Sequence, residues 1–237
     1  MTTCYLHIMT GVREIVARRL GMFRDNSPEI EKLIEAMHQC AEHRRCMIAV
    51  AGPPASGKST FADQLALHLN ERQPNDAAVL PMDGFHFDNQ VLVSKGWLHR
   101  KGAPHTFDIA GLSHILSRLR HNNDTAVAVP VFDRDLEISR AGARLIDTNV
   151  RHVIVEGNYL LLGQPPWDKL KRSFDLTVYL DVPAEIIEKR LAERWRHLSS
   201  LEATRKIEYN DLPNAELVHR ESQPADITID WSPETGF

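Results

Sequence analysis

Residues 46–60 read CMIAVAGPPASGKST. Met47 to Ala51 is a short apolar run, the length of one buried strand. Gly52 to Ser59 then spells G-x-x-x-x-G-K-S, a phosphate-binding loop. Gly52 and Gly57 permit backbone angles that a side chain forbids. Successive N–H groups can therefore turn inward and make a concave anion site from Gly52, Pro53, Pro54, Ala55, Ser56, Gly57, Lys58, Ser59 and Thr60. Lys58 offers a mobile cation to the β- and γ-phosphates, and Ser59 offers a hydroxyl to Mg²⁺. Downstream, Phe61, Leu65 and Leu69 recur every fourth residue, with Ala62 and Ala66 beside them. That is one apolar helical face, and such a helix points its positive end at the phosphates. Strand, loop and helix together predict a site for a nucleoside triphosphate with Mg²⁺.

The composition fits this frame. The chain has 237 residues, 43% hydrophobic and 25% charged, which suits one soluble α/β domain with a substantial core. The net charge of −4 gives no general attraction to nucleic acid or to an anionic membrane. No apolar run reaches the roughly 18 residues of a membrane span, and the first twenty residues lack the apolar stretch of a secretory leader. The three cysteines, Cys4, Cys40 and Cys46, have no metal-ligand spacing and read as reduced thiols of a cytoplasmic protein.

Outward from the loop, residues 1–45 read as a helical extension. Val12, Ile15, Val16 and Leu20 have helical spacing, and a second helix is predicted to start at Ser27-Pro28-Glu29. Residues 46–237 read as the nucleotide-binding domain. The apolar run Ala77–Met82 ends in Asp83-Gly84-Phe85-His86-Phe87-Asp88. A carboxylate at the C-terminal end of a strand lies where open α/β sheets bind ligands. Asp83, with Phe85 and His86 beside it, is thus a candidate base with an aromatic wall. Residues 89–107 show no clear period and are rich in cations; Lys95, His99, Arg100, Lys101 and His105 could meet an anionic substrate. Asp108 is placed to cap a helix faced by Ile109, Leu112, Ile115, Leu116 and Leu119.

Ala126–Phe132 is a third strand, followed by Asp133-Arg134-Asp135 and then Arg140. Arg140 could clamp a substrate oxygen, or equally pair with Asp135 or Glu137. The strand His152–Val155 leads into Glu156, an acid at a strand tip and the expected carboxylate near Mg²⁺. After the strand Phe174–Val182 comes a basic helix with Arg190 and Arg194 one turn apart, read as a lid over about residues 186–210. The helix over Glu202–Tyr209 is expected to end at Asn210–Asn214, before a last strand at Asp226–Asp230. This alternation predicts a three-layer α/β/α fold around one mostly parallel sheet.

The stretches GPPASGKS, PMDGFHFDN, RKGAPHTFD, VPVFDRDLEISR, VIVEGNYLLL, KRLAERW and NDLPNA together resemble the P-loop kinases of the uridine kinase, phosphoribulokinase and bacterial pantothenate kinase group. The branch resembled most is the nucleoside/nucleotide kinase-like, or fructose-transport-system-kinase-like, one. The resemblance runs from Cys46 to Asp230. It implies an ATP-dependent kinase acting on a hydroxyl of a small metabolite, with Asp83 as catalytic base, Lys58 and Ser59 on phosphates and Mg²⁺, Glu156 near the metal, Arg190 and Arg194 as lid arginines, and Arg140 on the substrate side. It allows a homodimer and implies no nucleic-acid or membrane partner. The competing readings are a nucleotide-hydrolysing switch and a nucleoside monophosphate kinase. Asp108-Ile109-Ala110-Gly111 does match the D-x-x-G of a switch, but it follows no predicted strand and the sequence holds no N-K-x-D.

Overall fold

The computed structural model describes residues 28–42 and 44–231. The predicted helix around Val12–Leu20 lies outside them. The second N-terminal helix, α1, spans Pro28–Cys40. It buries Ile30, Leu33 and Met37 in the same core as the nucleotide-binding part of the chain.

Five parallel strands form the central sheet: β1 (Cys46–Ala51), β2 (Ala77–Pro81), β5 (His152–Gly157), β6 (Leu176–Asp181) and β7 (Ile227–Asp230). Their order is β2-β5-β1-β6-β7. β1 and β5 are buried along their whole length, as strands covered on both faces must be. The period of two divides β1 between two cores. Cys46, Ile48 and Val50 pack on one side with α1, with α2 (Lys58–Arg72) and with α5 (Ala184–Trp195). Met47, Ala49 and Ala51 pack on the other side with α4 (Ile109–His121) and with the 3₁₀ turn Trp167–Ser173. As expected, Asp108 caps α4, its carboxylate accepting from Gly111 N at 2.9 Å. Among the described residues no helix is long and apolar enough to cross a membrane.

The run Ala126–Phe132 does not join the parallel sheet. It belongs to β3 (Ala126–Asp133), which pairs antiparallel with β4 (Ile138–Asp147) as a separate two-stranded ribbon. Pro130 explains the difference: it has no N–H to give a ladder, and the register shifts between Val129 and Val131, around it. β4 carries too many charged and exposed positions to show a strand pattern.

Two further departures concern helices. Residues 89–107 hold a short α3 (Asn89–Ser94) and two 3₁₀ turns. The helix expected to end at Asn210–Asn214 continues past them. α6 (Ser200–Lys206) opens on a Ser199–Glu202 capping box and runs through a π-helical turn, Ile207–Asp211, into α7 (Leu212–Glu221). Pro213 falls in the first turn of α7, where its missing N–H costs nothing.

Arg45, just before β1, joins the layers. It is buried and donates to Val150 O at 2.8 Å, to Leu119 O at 3.0 Å and to Asp147 O. Arg45→Ala leaves three carbonyls without their donor. It should lower unfolding stability by about 3 kcal/mol, read from urea denaturation. A loss under about 1 kcal/mol would show that the guanidinium does not join the layers.

Candidate active site

The phosphate loop has the conformation that its glycines foretell. Gly52 has φ +155°, and a Cβ there would come 2.9 Å from Leu180 O. Lys58, the first residue of α2, is buried and folds back over the loop, with Nζ donating to Pro53 O at 2.8 Å and to Ser56 Oγ at 3.3 Å. Pro54, Ala55, Gly57, Lys58, Ser59 and Thr60 line a cavity of about 670 Å³. Gly52, Pro53 and Ser56 belong to the loop that carries them but not to the cavity lining.

Glu156 reaches the same cavity from the end of β5. It lies on the α2 side of the sheet, and Ser59 Oγ donates to its Oε1 at 3.2 Å. Burial pushes the Glu156 carboxyl above its ordinary value and pulls the Lys58 ammonium below its own, and the attraction between the two opposes both shifts. A hydroxyl and a carboxylate side by side are hard oxygen ligands of the type a divalent cation takes. Arg190 and Arg194 face the cavity from α5, and Arg190 Nη1 donates to Ala55 O and Ser56 O at 3.2 and 3.1 Å.

Asp83 stands in a 3₁₀ turn, Met82–Phe85, directly after β2. The ribbon β3–β4 fixes this turn. Ser139 Oγ donates to Gly84 O, and Arg144 donates to Val79 O. Gly84 must be glycine for a different reason from Gly52: its α-carbon sits so close to β3 that a Cβ would lie 2.4 Å from Pro130 O. Arg134, in the β3–β4 turn, pairs with Asp83 at 3.3 Å.

A second cavity, about 790 Å³, opens on the far side of Asp83. Its walls hold His86, Phe107, Phe132, Asn158, Lys101 and the amides of Asn89, Asn210 and Asn214. The His86 ring lies 4.0 Å from Phe107 and 4.7 Å from Phe132, centroid to centroid. Its Nδ1 is 2.8 Å from Asp83 O, which can only accept, so Nδ1 carries the proton and Nε2 is an acceptor. Burial holds this imidazole below its ordinary pKa and so neutral near pH 7.

Three candidate residues lie elsewhere. Phe85 is buried in the core because the 3₁₀ turn rotates it inward; Phe107 and Phe132 supply the aromatic wall instead. Arg140 points along β4 and pairs with Asp133 at 3.4 Å, outside the lining of both cavities. His105 packs edge-on against Trp97 and lines a separate cavity behind Phe107. Of the other cations in that stretch, Lys95 lies over the Trp97 ring and Arg100 donates to Tyr209 O. Arg134, Asn158 and Asp211 do not stand out as site residues in the sequence. Arg134 alone has a signal, its place between two aspartates after a strand. The D-x-x-G stretch is taken up by the α4 cap, which removes the switch reading's motif.

Comparison with known proteins agrees with this geometry. No protein-family model matches the chain. A uridine kinase-like protein of Schizosaccharomyces pombe is 31% identical over 220 residues, 86% of this chain and 92% of that protein. The solved structure of a fructose-transport-system-kinase-like protein from Silicibacter sp. TM1040 superposes with a TM-score of 0.74 at 38% identity, covering 82% of this chain and 98% of that one. The chain belongs to the P-loop kinases of the uridine kinase and pantothenate kinase group. Pantothenate kinase of Streptococcus thermophilus, from the same group, is 32% identical over 177 residues, 73% of this chain and 56% of that protein. The chain is accordingly an ATP-using phosphotransferase whose acceptor is a hydroxyl of a small molecule.

The loop geometry gives a direct test. Gly52→Ala places a methyl against Leu180 O in a backbone region that side chains avoid, a strain of about 1–3 kcal/mol. Affinity for a fluorescent ATP analogue should fall roughly tenfold or more, and the strain should lower the thermal midpoint by several degrees. Unaltered nucleotide affinity would mean that the loop accommodates the methyl.

Proposed function

We propose that Asp83 is the general base of this kinase and that the two cavities are its phosphate side and its acceptor side. The observation that carries the reading is position: among the described residues, Asp83 is the one acid common to the linings of both cavities. A hydroxyl bound in the larger cavity would approach the γ-phosphoryl group past this carboxylate. Phosphoryl transfer asks for placement and charge neutralisation more than for covalent chemistry. Lys58, Arg190 and Arg194 would supply the cations and the loop N–H groups the cradle. Asp83 would orient the acceptor hydroxyl and take its proton as the oxygen attacks. Arg134, paired with Asp83, would hold the carboxylate in place.

Mg²⁺ fits the hard oxygen pair of Ser59 and Glu156, and when bound it would neutralise charge on the β- and γ-phosphate oxygens. The same reading makes residues 1–45 an appendage of a domain over 46–237. The shared core of α1 with β1 and α2 supports its being docked on that domain.

Release of ADP, measured by a coupled assay with Mg–ATP across sugars, nucleosides, pantothenate and their monophosphates, tests the reading. Asp83→Asn should lower acceptor-dependent turnover by roughly 10²-fold or more while ATP affinity stays within about threefold. Normal turnover in that variant sinks the base assignment. Preference for a monophosphate would move the acceptor class to nucleotides. Glu156→Gln should raise the Mg²⁺ concentration for half-maximal rate by roughly 10- to 100-fold. No change in that concentration would place the metal on other ligands.

A further inference from the structure

We propose that Asp211 is the specificity-determining residue of the acceptor cavity, and that with its neighbouring amides it selects a neutral, hydroxyl-rich acceptor over one bearing a carboxylate. The proposal rests on the kinase reading of the same cavity and goes on to name the chemistry of its acceptor.

Asp211 is 9% exposed and lines the acceptor cavity from the end of the π-helical turn. Such turns insert one extra residue into a helix and re-aim side chains, and they recur at functional sites. Here Asn210, Asp211 and, one turn on, Asn214 are all buried polar groups on the cavity wall. One oxygen of Asp211 is anchored, with Trp195 Nε1 donating to Oδ2 at 2.7 Å. Among the described residues the other, Oδ1, receives only a long contact of 3.4 Å from Asn210 Nδ2. That amide's better bond runs to Lys101 O at 2.8 Å. A carboxylate oxygen can accept two hydrogen bonds, and a buried one gains from taking them. Oδ1 therefore has acceptor capacity to spare, held in a fixed direction by the indole.

The cations of this wall are already engaged. Lys101 Nζ is bound to Asn89 Oδ1 at 2.8 Å, Glu137 O at 2.7 Å and Glu137 Oε2 at 3.0 Å, which uses its three donors. Arg134 pairs with Asp83, and Lys206 lies over the Trp195 ring at 5.1 Å. Arg194 lines the phosphate cavity as well and is attracted to both Asp211 and Asp83. Against these stand four acids, Asp83, Asp135, Glu137 and Asp211. An acceptor carboxylate would meet like charge and would compete with these four acids for the same cations. Hydroxyl groups need neither: they donate to Asp211 Oδ1 and to His86 Nε2 and accept from the amides. A flat ring or sugar face can rest on Phe132, which is half-buried on the cavity wall.

The test uses the full-length protein with Mg–ATP and five acceptors: D-ribose, D-fructose, uridine, pantothenate and D-glycerate. Wild type should use at least one neutral acceptor with kcat/KM roughly tenfold or more above either acid. Asp211→Asn should raise the KM for that acceptor roughly tenfold or more, with kcat and the KM for ATP within about threefold. Trp195→Phe keeps the carboxylate but releases it, and should raise the same KM by a smaller factor; it carries the test if Asp211→Asn folds poorly. Asp83→Asn, run alongside, should lose kcat instead. Preference for pantothenate or glycerate, no turnover of any neutral acceptor, or an acceptor KM unmoved in both variants overturns the inference. Raised KM in Asp211→Asn together with normal turnover in Asp83→Asn supports it while removing the base assignment.

Discussion

The structure depends on the register of three parallel strands. β1 pairs with β5 so that Val50 stands opposite Glu156, and β2 pairs with β5 so that Pro81 stands opposite the same residue. The three chains therefore leave the sheet at one level. This brings the phosphate loop after β1, the Asp83 turn after β2, and Glu156 itself at the tip of β5 to one edge of the sheet. The side-chain period of two adds the second half of the constraint. Glu156 shares a face with Ile154, on the side of α2, which is why it meets Ser59. A slip of one residue would send the carboxylate into the opposite core. Full burial of β1 and β5 makes that slip costly, since each strand carries apolar groups matched to both faces.

This is also why so much of the site is legible in the chain. Lys58, Ser59, Asp83, Glu156, Arg190 and Arg194 each follow a local signal, namely a loop motif, an acid at a strand end, or arginines one helical turn apart. In a parallel sheet, strand ends converge without further instruction. The rest depends on where a separate element lands. The ribbon β3–β4 shows no helix-and-strand alternation, and its turn brings Arg134, not Arg140, to Asp83. Phe85 reads as a ligand-facing residue only if the strand alternation continues past β2; the 3₁₀ turn reverses it. Asp211 is concealed by the π turn, whose extra residue breaks the 3.6-residue period on which a helical face is read.

The ribbon supports the turn that carries Asp83. A four-residue 3₁₀ turn has too few bonds of its own to hold a carboxylate in one place. β3 and β4 brace it through Ser139, Arg144 and the contact of Gly84 with Pro130. Placement of the reacting groups, more than their intrinsic acidity, is what phosphoryl transfer requires. The rigidity lies therefore at Asp83, while Arg190 and Arg194 sit on α5, a helix whose outer face is solvent.

The helix α5 reaches both cavities with consecutive residues. Arg194 lines the phosphate cavity, and Trp195, the next residue, holds Asp211 across the acceptor cavity. One turn earlier, Arg190 donates to the backbone of the phosphate loop. Further along, Arg100 and Lys101 of the acceptor-side loop are tied to the π turn through Tyr209 O and Asn210. The segment α5–α6–α7 thus touches the phosphate loop at one end and the acceptor wall at the other. Interactions with either substrate bear on the same helix. A displacement of α5 would therefore move groups at both cavities together.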